Sequence, residues 1–120
     1  DMVEAVAQKK QKQALKLYYN LLALKEAPMK ILALIARQFN MLLQVKEMKS
    51  KGYHESDIAR QTGLNPYYLK KKYIPQAAQF RQAQLETALK ACVEAEEAVK
   101  TGHMPDLLSV ELIIVSLSTD

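Results

Sequence analysis

The residues with the plainest chemical capacity are three consecutive lysines, Lys70, Lys71 and Lys72. Protonated lysines bind phosphate as point charges, and such contacts hold a protein on nucleic acid without reading its sequence. Successive residues of a helix lie about 100° apart, so these three side chains fan over most of one face. The run therefore favours diffuse attraction to phosphate. The three lysines are the candidate nucleic-acid contacts of this chain.

The lysines belong to a segment, residues 55–73, whose pattern is that of a helix-turn-helix. Ser56 can cap a first short helix, and Gly63 can end it in a left-handed turn. Asn65 followed by Pro66 is a second start signal, a side-chain acceptor and then a residue preset for the first helical turn. These features predict two short helices joined by a tight turn.

The start of the second short helix decides what this motif could read. A recognition helix places Arg, Asn or Gln at its N-terminal end, where these side chains meet base edges. Here that end is Pro66, Tyr67 and Tyr68. The pattern therefore favours an architectural pair over a sequence-specific one. A helix-turn-helix nucleic-acid-binding protein using residues 55–73 remains the alternative function.

Residues suited to catalysis or metal binding do not form any known constellation. The sequence has no Gly-rich phosphate loop, no HExxH, no CxxC and no Ser/His/Asp arrangement. His54 and His103 follow Gly52 and Gly102 in expected turns, and Cys92 lies on the apolar stripe of a helix. We expect no catalytic residue, no cofactor site, no metal site and no enzymatic activity in this chain.

One long helix between Pro28 and Gly52 organises the predicted fold. Its apolar residues recur at spacings of three and four, and Phe39 is the large aromatic on that stripe. The last apolar run could be a strand, but no second strand candidate exists to pair with it, so a helix is predicted. The expected fold is all-α, a helical bundle with an inserted helix-turn-helix. The expected helices are 4–26, 28–51, 76–101 and 106–118, with the short pair 56–62 and 66–73.

Length, composition and charge are consistent with one helical domain over residues 1–120. The 49% apolar content is enough for a core, and the single cysteine fits a reducing compartment. The longest apolar run is too short to cross a bilayer, so no membrane association is expected. Residues 1–75 hold 14 Lys/Arg against 6 Asp/Glu, and residues 76–120 hold 3 against 7. This split could provide two different faces for two neighbours in an assembly.

Three segments together resemble a known protein family. They are PMKILALIARQFNMLLQVK (28–46), GYHESDIARQTGLNPYYLKKK (52–72), and AEEAVKTG (95–102) with the apolar helix that follows it. In this order and spacing they resemble the C-terminal domain of the delta subunit of bacterial DNA polymerase III. The inserted helix-turn-helix resembles the version in Gram-positive bacteria. The likeness covers nearly the whole chain, from about Lys16 onward.

The resemblance implies a helical collar domain of the clamp loader, cut from the C-terminal part of a longer protein. In that family, such domains of delta, delta-prime and the gamma/tau subunits associate in a pentameric ring. The function implied is non-catalytic assembly of the loader in the cytoplasm, at the nucleoid-associated replisome, with DNA contact at most weak and sequence-independent. Clamp binding belongs to the family's N-terminal module and carries over to no residue here. A third possible function is that of a free-standing adaptor that binds helices of partner proteins. This possibility rests only on the apolar last helix.

Overall fold

The computed structural model describes residues 1–119, all but Asp120, and contains no strand within that range. The all-α prediction is therefore confirmed, including a helix for the last apolar run. The helices are α1 (Met2–Ala7), α2 (Gln11–Ala23), α3 (Pro28–Ser50), α4 (Glu55–Thr62), α5 (Pro66–Tyr68), α6 (Ile74–Ala78), α7 (Gln82–Lys100) and α8 (Asp106–Leu117). A π-helical turn, Leu69–Tyr73, joins α5 to α6. None of the helices in residues 1–119 combines the length and apolar character of a membrane span.

The helix α3 is the centre of the core, as its apolar period predicts. It is packed against α1, α4, α6, α7 and α8. Six of its side chains are almost fully buried: Ile31, Leu32, Ile35, Phe39, Leu42 and Val45. The outer side of its first half stays open to solvent, where Leu34 is 46% exposed.

The predicted helix over 4–26 is wrong, because the chain turns at Lys9 and forms two helices. Lys9 adopts the left-handed conformation, with φ of 60°. The N–H of Lys10 then donates to the carbonyl of Ala5 at 2.9 Å, the bond of a Schellman helix end. Glycine is the usual residue at this position because it has no Cβ to clash. Because this position holds a lysine instead of a glycine, the sequence gives no local signal that the helix ends here.

The break allows α1 to dock on the core in addition to α2. Met2, Ala5, Val6 and Ala7 are all buried in the main cluster. The helix α2 packs mainly on α1 and α8 instead of lying along α3. A second left-handed lysine, Lys25 with φ of 66°, ends α2 and redirects the chain toward α3.

The predicted helix over 76–101 is also wrong, since it is interrupted between α6 and α7. Phe80 lies in the interruption and is buried. Its ring meets that of Phe39 edge to face, with centroids 5.5 Å apart. An aromatic side chain buries a large area, and such a pair contributes roughly 0.5–1.5 kcal/mol beyond that area. This tertiary contact outweighs the helix propensity of the surrounding alanines and glutamines.

The inserted helix-turn-helix forms, but its first cap differs from the prediction. The helix α4 begins at Glu55 after an extended His54, so Ser56 lies inside the first turn and does not cap it. Two carboxylates in that turn favour this start because they complement the helix dipole. The cap by Asn65 is confirmed: its side chain accepts the N–H of Tyr67 at 2.8 Å. Ile58, Ala59 and Leu69 are buried in the same cluster as the rest of the core.

Replacing Phe39 with Ala should destabilise the fold by about 3–5 kcal/mol, because it removes a fully buried ring and leaves Phe80 without its partner. Urea unfolding followed by circular dichroism measures the loss. Leu34→Ala on the exposed face of the same helix is the control and should change stability by less than about 1 kcal/mol. An unchanged transition for Phe39→Ala would mean that the ring is not a core residue.

Replacing Lys25 with Gly should stabilise the chain by about 0.5–1 kcal/mol, because it removes the strain of a left-handed non-glycine residue. The same change at Lys16, an exposed interior position of α2, should destabilise by about 1 kcal/mol. Thermal unfolding should show a higher melting temperature for Lys25→Gly and a lower one for Lys16→Gly. A lower melting temperature for both would contradict the left-handed turn.

Candidate functional site

The three candidate lysines lie in the π-helical turn, and a proline explains why that turn is widened. Pro75 has no N–H to donate and its ring would clash with the carbonyl four residues earlier in an α-helix. The N–H of Ile74 instead bonds to the carbonyl of Leu69, five residues back. A single turn of this kind is often found at functional sites. The predicted short helix 66–73 therefore continues to Ala78 with changed geometry.

The structure separates Lys72 from its two neighbours. Its Nζ lies 2.7 Å from a carboxylate oxygen of Glu4, on α1, and 5.2 Å from the ring centroid of Tyr68. The hydrogen bond from Lys72 lowers the pKa of Glu4, and the same bond raises the pKa of Lys72. Lys72 thus ties the inserted motif to α1. Of the three predicted nucleic-acid contacts, Lys72 is the one that already has a carboxylate partner.

Lys70 and Lys71 are exposed, and within residues 1–119 no carboxylate lies within ion-pair distance of either. Tyr67 and Tyr68 precede them and are 63% and 48% exposed. The two rings meet edge to face with centroids 5.5 Å apart. This surface, Tyr67–Lys71 without the buried Leu69, combines aromatic faces with free positive charge. We call it the Tyr–Lys surface.

A second surface is apolar and lies on the outer side of α8. Its exposed leucines are Leu107, Leu108 and Leu112, each about half accessible. The opposite side of α8 carries the buried residues Val110, Ile113 and Ile114, so this helix is apolar nearly all round. A helix with that character is normally covered on more than one side. The stripe formed by Leu108 and Leu112, one helical turn apart, is called the outer α8 stripe below.

A tyrosine of α2 links that helix to α8. Tyr18 is fully buried and its hydroxyl donates to the carbonyl of Leu107 at 2.9 Å. Burial raises the pKa of Tyr18 to about 12, and the charges of Glu111 and Asp106 add to this shift. Tyr19 is half exposed, and the Glu111 carboxylate near it raises its pKa. The first turn of α8 is therefore tied to α2 through Tyr18.

One acidic residue of α8 lies next to the outer α8 stripe. Glu111 directly precedes Leu112 and is half-buried, and Asp106 begins the same helix. A hydroxyl joins α8 to α7, because Ser109 donates to the carbonyl of Ala95 at 3.0 Å, and α7 carries the exposed Glu94 and Glu97. The acidic side chains of this end of the molecule thus lie on the two helices that pack together here.

The remaining chemically capable groups are placed as the sequence suggests. Cys92 is buried on the core side of α7, and burial raises the pKa of its thiol to about 11, which disfavours the nucleophilic thiolate at neutral pH. His54 and His103 are exposed in turns, and a nitrogen of His103 lies 2.6 Å from the hydroxyl of Thr101. No cluster of metal-binding side chains occurs among the described residues.

Comparison with known proteins assigns the family. A family model described as "DNA polymerase III delta subunit, C-terminal domain" matches residues 1–117. The chain belongs to this family. The DNA polymerase III subunit delta of Bacillus subtilis is 29% identical over 117 residues, which are 98% of this chain and 33% of that protein. A solved structure, the DNA clamp loader delta protein (YqeN) of Bacillus subtilis, matches 98% of this chain and 34% of its own, with 29% identity and a TM-score of 0.85.

These findings confirm the family and fold that the three sequence segments indicate. The chain spans about a third of the length of the relatives it matches. The ion pair between Glu4 and Lys72 and the link between Tyr18 and Leu107 were not predicted. Their partners are 68 and 89 residues apart, and no local spacing indicates contacts across such distances.

Replacing Tyr18 with Phe should lower stability at neutral pH by roughly 0.5–1.5 kcal/mol, since it removes the bond to Leu107. The pKa of Tyr18 is raised from 10.0 to about 12 on folding. The stabilisation is therefore complete below pH 10 and is lost as the pH rises through about 12. Urea unfolding measured between these pH values should show that the difference in the free energy of unfolding between wild type and variant decreases as the pH rises.

Tyr53→Phe is the control for the loss of a hydroxyl, because Tyr53 is exposed and its hydroxyl makes no such bond in residues 1–119. Its stability at neutral pH should be close to that of the wild type. A constant gap between Tyr18→Phe and the wild type up to pH 12 would show that the Tyr18 hydroxyl is not the group that titrates.

Proposed function

We propose that this chain is the non-catalytic assembly domain, or collar domain, of a DNA polymerase III delta subunit. It associates with the other clamp-loader subunits, gamma/tau and delta-prime, in a hetero-oligomer that acts in DNA replication in the cytoplasm. The family match over residues 1–117 is the observation that carries this proposal. Clamp binding and any ATP-dependent step are assigned to parts of the loader outside these residues.

The outer α8 stripe is the surface that we assign to this assembly. Leu108 and Leu112 are exposed on a helix that is held rigidly by Tyr18 and by Ser109. Partners gain about 25 cal/mol for each Å² of apolar surface that they bury, so exposed leucines on a fixed helix favour association. The outward leucines are not needed for the core, which is closed from the other side by Val110, Ile113 and Ile114.

The charge at this end of the molecule suggests the character of the partner. The two helices at this end, α7 and α8, carry Glu94, Glu97, Asp106 and Glu111, so a complementary surface would combine an apolar centre with nearby Lys or Arg. The N-terminal residues 1–75 of this same chain are basic. A related domain with the same charge split could present its basic side to this acidic one, as a ring built from head-to-tail contacts requires.

The alternative, a helix-turn-helix that reads duplex sequence, is less well supported. Pro66, Tyr67 and Tyr68 occupy the end of the second helix where base-reading amides or guanidinium groups would stand. Lys72 already has a carboxylate partner, Glu4, so it offers less net positive charge to phosphate than Lys70 and Lys71. Binding of nucleic acid by this chain would therefore be independent of sequence and additional to assembly.

The assembly proposal is tested with the double variant Leu108→Ser/Leu112→Ser. Both side chains are about half exposed, so the fold should remain, as circular dichroism would show. Co-purification and sedimentation with the gamma/tau and delta-prime subunits should show at least a tenfold loss of association, since two central leucines of an interface are removed.

The matched control is Leu24→Ser/Leu34→Ser, which removes two exposed leucines at the end of α2 and on α3, away from α7 and α8. It should assemble like the wild type. Wild-type assembly by the α8 variant would exclude the outer α8 stripe as the interface. If the unaltered chain fails to associate with any loader subunit, the function itself is wrong.

A further inference from the structure

We propose that the Tyr–Lys surface and an adjoining basic groove bind single-stranded nucleic acid without sequence preference. In this site Tyr67 stacks on an unpaired base, and Lys71 and Lys10 contact the phosphates that follow it. This binding goes beyond assembly of the loader and involves different residues. It rests on the geometry of α5, the π-helical turn and the turn before α2.

The first element of the site is a fixed and accessible aromatic ring. Tyr67 is the more exposed tyrosine of the pair, at 63%. The side chain of Asn65 accepts its backbone N–H, and the ring of Tyr68 braces it edge to face. Lys72 lies over Tyr68 in turn and is held by Glu4. A ring that is ordered before binding loses little entropy when a base stacks on it.

The second element is positive charge on the same exposed segment as this ring. Lys71 follows Tyr67 by four positions in the chain, within the π-helical turn, and is exposed. Lys71 also lines a groove with Lys10, which lies on the loop between α1 and α2. Gln8 and Gln79 line the groove as well and offer amide donors. Its acidic member, Glu4, is already paired with Lys72.

The combination favours single strands over duplexes. A base can stack on a tyrosine only when the strand is unpaired, whereas lysines alone would bind either form through phosphate. Pro66, Tyr67 and Tyr68 form the start of α5, and the side chain of Asn65 is used to cap it by accepting the N–H of Tyr67, so this helix end is poorly suited to read the base edges of a major groove. An acidic protein segment would also be attracted to the lysines, but it has no base that could stack on the face of the tyrosine ring.

The test is binding of the 120-residue chain to a labelled oligothymidine of about 16 nucleotides, measured by fluorescence anisotropy. Tyr67→Ser should weaken binding roughly tenfold, as expected for the loss of one stacked base. Lys10→Gln/Lys71→Gln should weaken it and reduce the slope of log affinity against log salt by roughly 1.4, about 0.7 for each phosphate that is no longer neutralised. The chain has no Trp. Stacking should therefore quench its tyrosine fluorescence, and Tyr67→Ser should lose part of that quenching.

The control is Lys16→Gln/Lys90→Gln, the same loss of charge at two exposed positions outside the site. It should leave affinity and salt slope nearly unchanged. The proposal is overturned if the chain does not bind the oligonucleotide, if a duplex binds as tightly, or if the control pair weakens binding as much as Lys10→Gln/Lys71→Gln. An unaffected Tyr67→Ser variant also overturns it, because binding would then be general attraction to phosphate. Competition by an acidic peptide at an equal concentration of charge would also overturn the proposal, because the site would then bind a protein segment.

Discussion

The burial of α3 is the constraint on which the rest of this structure depends. A helix with buried side chains from Ile31 to Val45 needs neighbours along its whole length, and in this chain the long α7 and four shorter helices supply them. The breaks at Lys9 and at Phe80 are consequences of this requirement. Each interrupts a good helical sequence so that apolar residues, α1 in one case and Phe80 itself in the other, reach the core.

Two long-range contacts convert this packed core into defined surfaces. The hydroxyl of Tyr18 holds the first turn of α8, and the carboxylate of Glu4 holds the end of the lysine run. The side chains that remain exposed near the two contacts differ in character. On α8 they are leucines, and beside the π-helical turn they are tyrosines and lysines. The proposed assembly surface and the proposed nucleic-acid surface therefore rest on different chemistry.

The two surfaces are compatible with a replication assembly. The family is that of the C-terminal domain of the DNA polymerase III delta subunit, and the solved relative is a clamp loader delta protein. In an assembly that works on DNA, a weak and sequence-independent contact would add to the affinity of the complex without directing it to one site. The exposed aromatic pair distinguishes such a contact from simple charge attraction.

The sequence alone determined the helical class, the central position of α3, and the turns at Gly52, Gly63 and Gly102, because apolar period and glycine are local signals. It also indicated the family, through the order of its segments. Only the tertiary structure decided where the other helices break and which lysine is free. Left-handed Lys9 has no local signature, the burial of Phe80 depends on Phe39, and Lys72 is neutralised by a residue 68 positions away. Such outcomes depend on what packs against each residue, and that information is not contained in any short stretch of the chain.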